Sequence, residues 1–327
     1  MQTDFAGKKV LITGGAGFIG STLAQRLVEC SAEVTVIDSL VPEYGGNRFN
    51  LQPVWERVRF NVSDVRDHFS FERLVEGQDM LFNLAGQTSH LDSMEDPFTD
   101  MEINCRAQLA ILEVCRRVNP TMKIVFASTR QLYGKPAYLP VDEKHLLQPV
   151  DINGIHKMAG EWYHILYHRV YGLRTCSLRL TNTLGPRMRI KDARQTFVGV
   201  WLRSLVEGAP FEVWGGDQVR DFNDVEDVVD ALLLCALSDL ADGGIYNLGA
   251  HPPVSLRELA ELMIEVHGSG TFVMREYPVA RLKIDIGDYY ADFGLIQSTL
   301  GWTPKVPLRK TLERTLAYFR EHLEHYV

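Results

Sequence analysis

Apolar positions along this chain follow two rhythms. Short apolar runs bounded by turn residues predict buried strands, and longer stretches with apolar side chains three and four apart predict helices. Lys8–Thr13 (KKVLIT) is an apolar run that ends in glycines and predicts a strand. Ser21–Cys30, with Leu23, Leu27 and Val28 in helical spacing, predicts a helix, and Val34–Ile37 a second strand ending at Asp38. Further strands are predicted at Val58–Asn61, Met80–Leu84, Lys123–Ser128 and Arg174–Leu180, and helices at Phe69–Glu76, Asp100–Val118 and Gly154–Tyr171. This alternation predicts an α/β fold with a doubly wound, mainly parallel sheet covered on both faces.

The rhythm changes after Leu184. Met188–Thr196 is polar and irregular, Phe197–Glu207, Asp224–Ser238, Ser255–Val266 and Leu308–His322 read as helices, and Phe211–Trp214 and Ile245–Leu248 as short strands. The expected organisation is a first domain over residues 1–183 and a smaller mixed α/β lobe over 184–327 that holds the substrate. Segments near 224–250 are expected to return to the first domain, and a cleft lies between the two.

Composition narrows the function. With 34 basic and 42 acidic residues the formal charge is −8, which argues against broad nucleic-acid binding. A few arginines and a helix N-terminus still suffice to hold a diphosphate. Cys30, Cys105, Cys115, Cys176 and Cys235 show no CxxC spacing, and each sits in an apolar run. They are expected to be buried free thiols in a reducing compartment, with no disulfide framework or metal site. No apolar run approaches the roughly 18 residues of a membrane helix, and the short polar N-terminus lacks a signal-peptide pattern. A cytoplasmic protein without a membrane partner is expected.

Gly14, Gly17 and Gly20 form a GxxGxxG turn between the first strand and the first helix, the Rossmann-type context. Gly14 allows the turn, Gly17 lets the backbone approach a pyrophosphate, and Gly20 permits close helix–strand packing. A helix starting near Phe18 and Ile19 turns its free N–H groups and positive dipole end toward the phosphates. Asp38, at the end of the second strand, would accept hydrogen bonds from the adenosine ribose hydroxyls and repel a 2′-phosphate. The expected cofactor is therefore NAD.

Several ordered motifs, from about Lys8 to Tyr318, resemble the extended short-chain dehydrogenase/reductases, and within them the NAD-dependent nucleotide-sugar epimerase/dehydratase group. Asp64-Val65-Arg66-Asp67 is similar to the acidic turn of that family, and the resemblance implies that Asp64 meets the adenine amino group. Leu84-Ala85-Gly86-Gln87 is similar to its "LAA" strand end under the pyrophosphate and nicotinamide ribose, with Asn83 where a histidine is usual. Ser93, Pro97 and Asn104 fall where the pattern expects them. Ser128-Thr129-Arg130-Gln131-Leu132-Tyr133-Gly134 resembles "S[ST]xxVYG", which implies that Thr129 hydrogen-bonds the reacting sugar hydroxyl. Arg130 and Gln131 replace the Asp-Glu pair of the 4,6-dehydratases, and neither supplies a carboxyl group for elimination. Arg179, Asn182, Gly185 and Pro186 resemble "RxxNxYGP", and Arg220-Asp221-Phe222 with Asp227 resembles "RDFxxVxD". These imply a sugar-diphosphate site containing Gln87, Arg130, Asn182, Arg220 and either Arg281 or Lys283.

One position departs from the family. A YxxxK pair is expected on the helix after Pro149. Lys157 and Glu161 match it, but Asn153 stands in place of the tyrosine and His156 in place of the usual serine. An asparagine amide does not ionise near neutral pH and cannot act as the base. His90, Tyr133, His156 and Lys157 are candidates to take the proton. The resemblance implies an NAD-dependent epimerase of a nucleoside-diphosphate sugar working through a transient keto-sugar, with Thr129, Asn153 and Lys157 at the reacting centre. A net dehydrogenase or decarboxylase of such sugars, and a catalytically silent protein that binds NAD and sugar nucleotide, are the alternatives. A homodimer through the two long helices is expected, with Trp162, Tyr163, Leu166 and Tyr167 on the exposed face.

Overall fold

The computed structural model describes residues 4–44, 46–278 and 284–327. Seven parallel strands form the central sheet: β1 (Lys9–Thr13), β2 (Glu33–Asp38), β3 (Val58–Val62), β4 (Met80–Asn83), β5 (Lys123–Thr129), β6 (Arg174–Leu180) and β7 (Ile245–Asn247). Their order is β7-β6-β5-β4-β1-β2-β3. The chain runs outward from β1 to β3 and then crosses back to β4 on the other side of β1. Ligands of such sheets bind at this reversal, beyond the carboxyl ends of the strands.

The sheet core follows directly from the apolar runs. Val10, Ile12, Val36 and Phe82 meet Leu23, Ala24 and Leu27 of the helix Phe18–Glu29 on one face, together with Val228, Leu232 and Ala236 of the helix Val225–Leu237. Leu11, Leu81 and Ile124 meet Ile111, Leu112 and Cys115 of the helix Ala107–Val118 on the other. A separate apolar cluster holds Met188, Ile190, Trp201, Leu202, Phe211, Leu259, Leu312 and Phe319. Residues after Leu184 thus divide their apolar side chains between that cluster and the sheet, and β7 extends the sheet beside β6.

Three expectations are corrected. Asp100–Val118 is not one continuous helix: a short α-helix, Pro97–Met101, passes through a π-helical turn, Glu102–Arg106, into Ala107–Val118. The wider turn places Asn104 so that its amide donates to Gln87 O at 2.9 Å and to Asp100 Oδ2 at 3.0 Å. Single π-turns inside α-helices are frequent at functional sites. Tyr167 is 5 % exposed and packs inward, so it is not on the exposed face. Cys105 is only partly buried, unlike the other four free thiols. Among the described residues no helix is long and apolar enough to cross a membrane.

Candidate active site

The ends of β1 and β4 are stitched together by one side chain. Thr13 Oγ1 donates to Asn83 Oδ1 at 3.0 Å and accepts the backbone N–H groups of Leu84 and Ala85 at 3.0 and 3.1 Å. Asn83 in turn donates to Gln108 Oε1 at 2.6 Å. A buried amide therefore does the anchoring where the family pattern has a histidine.

The glycine turn opens next to this stitch. Gly14 has φ +68°, and a Cβ there would lie 3.0 Å from the Ala85 backbone; a Cβ on Gly20 would lie 2.3 Å from Gly14 O. Any larger residue at Gly20 forces the first turn of the helix away from β1. That first turn carries no acidic side chain and no side-chain cap, so its N–H groups and dipole are left for an anion. Asp38 is buried at the tip of β2, with one oxygen accepting Ala16 N at 3.0 Å and the other Leu40 N at 2.9 Å. Each oxygen retains a second acceptor position. Burial raises its pKa, a desolvation cost that paired hydroxyl donors would relieve. A glycine cradle for a diphosphate beside a carboxylate shaped for two hydroxyls fits NAD.

A single cleft runs from this turn to the far end of β5 and β6. It is lined by all the residues expected to hold the cofactor: Gly14, Gly17, Phe18, Ile19, Gly20, Asp38, Asp64, Val65, Leu84, Ala85, Gly86 and Lys157. Asp64 is gripped by Arg66 through Nε at 2.9 Å and Nη2 at 2.7 Å, which lowers its pKa. Lys157 is buried, with Nζ 3.4 Å from Ala127 O and 5.3 Å from the Phe126 ring centroid. Desolvation pushes its pKa down to about 8, against the pull of Asp100. Gly86 makes room for it, since a Cβ at residue 86 would sit 2.7 Å from Nζ.

Beside the ends of β5 and β6 the cleft is lined by Thr129, Arg130, Gln131, Asn153 and Asn182. Arg130 donates to Asn182 Oδ1 at 3.0 Å and stacks 5.2 Å from the Tyr289 ring centroid, while its buried Nη1 has no partner among the described residues. Asn153 spends its amide nitrogen within the protein, donating to Gln87 O at 2.8 Å and to Asp100 Oδ2 at 2.9 Å. Its side chain ties the helix Ile152–Tyr171 to the loop after β4.

Two residues expected at the substrate are buried and absent from the cleft lining. Gln87 is 2 % exposed and outside the cleft lining, spent on Asn153 and on Ser89 O. It is buried because its side chain is the counterpart of the Asn153 amide. Arg220 is also buried behind the lining, donating to Val219 O at 2.9 Å and facing Asp285 at 3.7 Å. Burial and then the nearby Arg130 push its pKa down to about 10. Arg281 and Lys283 lie outside the described residues.

Of the four candidate bases, two are withdrawn from the cleft. Tyr133 is fully buried, donates to Asn247 Oδ1 at 2.7 Å, accepts from Arg179 Nη1 at 2.6 Å, and burial raises its pKa to about 12. His156 is absent from the lining and contacts Asp100 Oδ1 through Nδ1 at 2.7 Å. His90 and Lys157 line the cleft. The cleft is also lined by Tyr44, Thr88, Arg189, Gln195 and Thr196, which carry no spacing signal in the sequence. The segment bearing the last three is tethered across the cleft by Arg194 Nε, which donates to Asp92 Oδ2 at 2.6 Å.

Known proteins are similar to this chain in sequence and fold. A crystal structure of UDP-glucose 4-epimerase with UDP-glucose, from Thermotoga maritima, matches with a TM-score of 0.88 and 30% identity, over 96% of this chain and 99% of that one. UDP-glucuronic acid decarboxylase 1 of Xenopus tropicalis is 30% identical over 97% of this chain and 73% of its own length. UDP-glucose 4-epimerase of Mycolicibacterium smegmatis is 28% identical over 95% and 98%. The family model for NAD dependent epimerases and dehydratases matches residues 10–249, the span that builds the glycine turn, the Asp38 carboxylate and the Lys157 helix. With cradle, lysine and threonine converging on one cleft, this chain belongs to the NAD dependent epimerase/dehydratase family.

Proposed function

We propose that this protein is an NAD-dependent epimerase of a nucleoside-diphosphate sugar that works through a transient keto-sugar. The observation that carries the reading is the placement of Thr129 and Lys157 on the walls of the cleft that the glycine turn opens into. Bound NAD supplies a nicotinamide ring able to accept a hydride and return it. The protein's part is to hold the sugar carbon against that ring and to manage one hydroxyl proton. Thr129 Oγ1, which accepts Gln131 N at 3.2 Å, keeps its O–H as a donor toward the sugar oxygen. Lys157, with its depressed pKa, supplies positive charge at the cofactor ribose. Arg130 and Asn182 bind the sugar-diphosphate side. The lack of a carboxylate at Arg130 and Gln131 disfavours dehydration.

The relatives support nucleotide sugars as the substrate class. Incubating the pure protein with UDP-, CDP-, GDP- and dTDP-sugars, followed by NMR of the sugar anomers, should interconvert one epimer pair without net NADH. Absence of turnover with every such sugar overturns the reading. A net decarboxylase of a uronic-acid sugar is the second reading. It is favoured by Arg130 Nη1, which has no partner among the described residues and suits a sugar carboxylate. That activity would release CO₂ and change the sugar's carbon count, which the same NMR experiment detects.

We also propose a homodimer. Ile155, Trp162, Leu166 and Val170 are 45, 48, 49 and 61 % exposed and form one stripe along the helix Ile152–Tyr171. Such a continuous apolar stripe on a long helix is an interface rather than a solvated surface.

A further inference from the structure

We propose that His90, held by Asp151, takes the sugar's hydroxyl proton in place of the missing tyrosine. The inference rests on the epimerase reading above and names the base that reading lacks. His90 lines the cleft beside Thr129, Gln131, Asn153 and Lys157, and its side chain is 40 % exposed, so a bound sugar can reach it. Asp151 is 1 % exposed, and its Oδ2 lies 3.0 Å from His90 Nδ1.

The orientation of the imidazole follows from what surrounds Asp151. Its Oδ1 accepts Gly154 N at 2.7 Å, capping the helix Ile152–Tyr171, and its Oδ2 accepts Gln131 Nε2 at 3.2 Å. Three donors converge on this carboxyl group, and those hydrogen bonds and His90 hold it below the usual carboxylate range despite burial. Asp151 is therefore an acceptor, and the hydrogen of the pair belongs to His90 Nδ1. Gln131 Nε2, 3.3 Å from the same Nδ1, is satisfied by Asp151. The neutral imidazole then carries its lone pair on Nε2, and the buried carboxylate fixes the orientation of the ring. This is the base–orienter geometry that general-base catalysis needs.

In the proposed step the O–H bond of the sugar hydroxyl breaks and its proton passes to His90 Nε2. The electron pair left on oxygen forms the carbonyl as the C–H bond breaks, and the hydride reduces NAD⁺ to NADH. The sugar is oxidised by two electrons. Hydride return to the other face, with the proton delivered back from His90, restores NAD⁺ and neutral imidazole.

The test uses the full chain with NAD bound, and His90→Gln, His90→Gly and Asp151→Asn variants. With the nucleotide sugar that the wild type epimerises, His90→Gln should lower kcat by roughly 10²- to 10⁴-fold. NAD affinity, read by calorimetric titration, should be unchanged. Added imidazole should restore rate to His90→Gly in proportion to its free-base concentration. Independently of turnover, ¹⁵N NMR of labelled histidine should show the Nδ1–H tautomer at residue 90 in the wild type and a shift toward Nε2–H in Asp151→Asn, whose amide keeps the helix cap. A His90→Gln variant with kcat within about threefold of wild type overturns the proposal while leaving the epimerase reading intact. So does an Nε2–H tautomer in the wild type. A wild type that turns over no nucleotide sugar overturns the epimerase reading and the proposal with it.

Discussion

Asp38 and Lys157 are two buried ionisable groups on the lining of one cleft, and the proposed function has both meeting NAD. With NAD bound as proposed, Asp38 would give each ribose hydroxyl a charged acceptor, an interaction worth about 1.5–3 kcal/mol. Asp38→Asn should raise the Kd for NAD roughly ten- to a hundredfold. It should also narrow the preference over NADP, both read by calorimetry. Lys157 makes a pH signature. Unfolded, it holds its proton up to about 10.5; folded, it releases it near 8. Between those values the unfolded chain binds more protons, so the lysine's contribution to stability improves as pH rises. Below pH 8 its burial costs about 3 kcal/mol relative to high pH. The difference in unfolding free energy between wild type and Lys157→Met should accordingly move in favour of the wild type from pH 8 to 10.5, measured by denaturant titration without NAD.

At the scale of elements, the site is held in register by buried polar clamps between the helix Ile152–Tyr171 and its neighbours. Glu161 accepts from Arg179 of β6 through Nε at 3.0 Å and from Ser128 Oγ of β5 at 2.6 Å. Both partners are nearly inaccessible to solvent. Removing one member of a buried pair strands the other, at about 3–5 kcal/mol. Glu161→Ala should lose that much stability in chemical denaturation and loosen the strand that ends at Thr129. The glycine turn is a second clamp. With a Cβ on Gly20 only 2.3 Å from Gly14 O, Gly20→Ala should abolish detectable NAD binding in the same titration even where the chain still folds.

The whole molecule packs an apolar cluster on each face of the sheet and a separate one beside it, with the cleft at the sheet's point of reversal, and leaves the stripe from Ile155 to Val170 uncovered. Replacing Trp162 and Leu166 together by arginine and glutamate should convert a dimer into monomers in sedimentation velocity, with NAD binding retained. Monodisperse monomer in the wild type at micromolar concentration rules out the proposed interface.

Local sequence was enough to determine the sheet strands, most helices and the cofactor end of the cleft. Those features depend on spacing: apolar periodicity sets β1 to β7 and their helices, and glycines three apart preceding a helix can be read without knowing the rest of the fold. Asn153 was legible as an exception for the same reason, because its distance from Lys157 is one turn of a helix. The direction in which polar side chains spend their hydrogen bonds was decided by tertiary structure alone. Gln87 and Arg220 carry the right residue types yet turn inward, because a partner from a distant segment awaits each of them. The break at Glu102–Arg106 depends on bonds to a loop that periodicity does not see. His90 and Asp151, far apart in the chain, meet only when the loop after β4 packs on the N-terminus of the Lys157 helix. Contacts between segments distant in the chain leave no mark in local spacing, and in this protein such contacts decide which groups face the substrate.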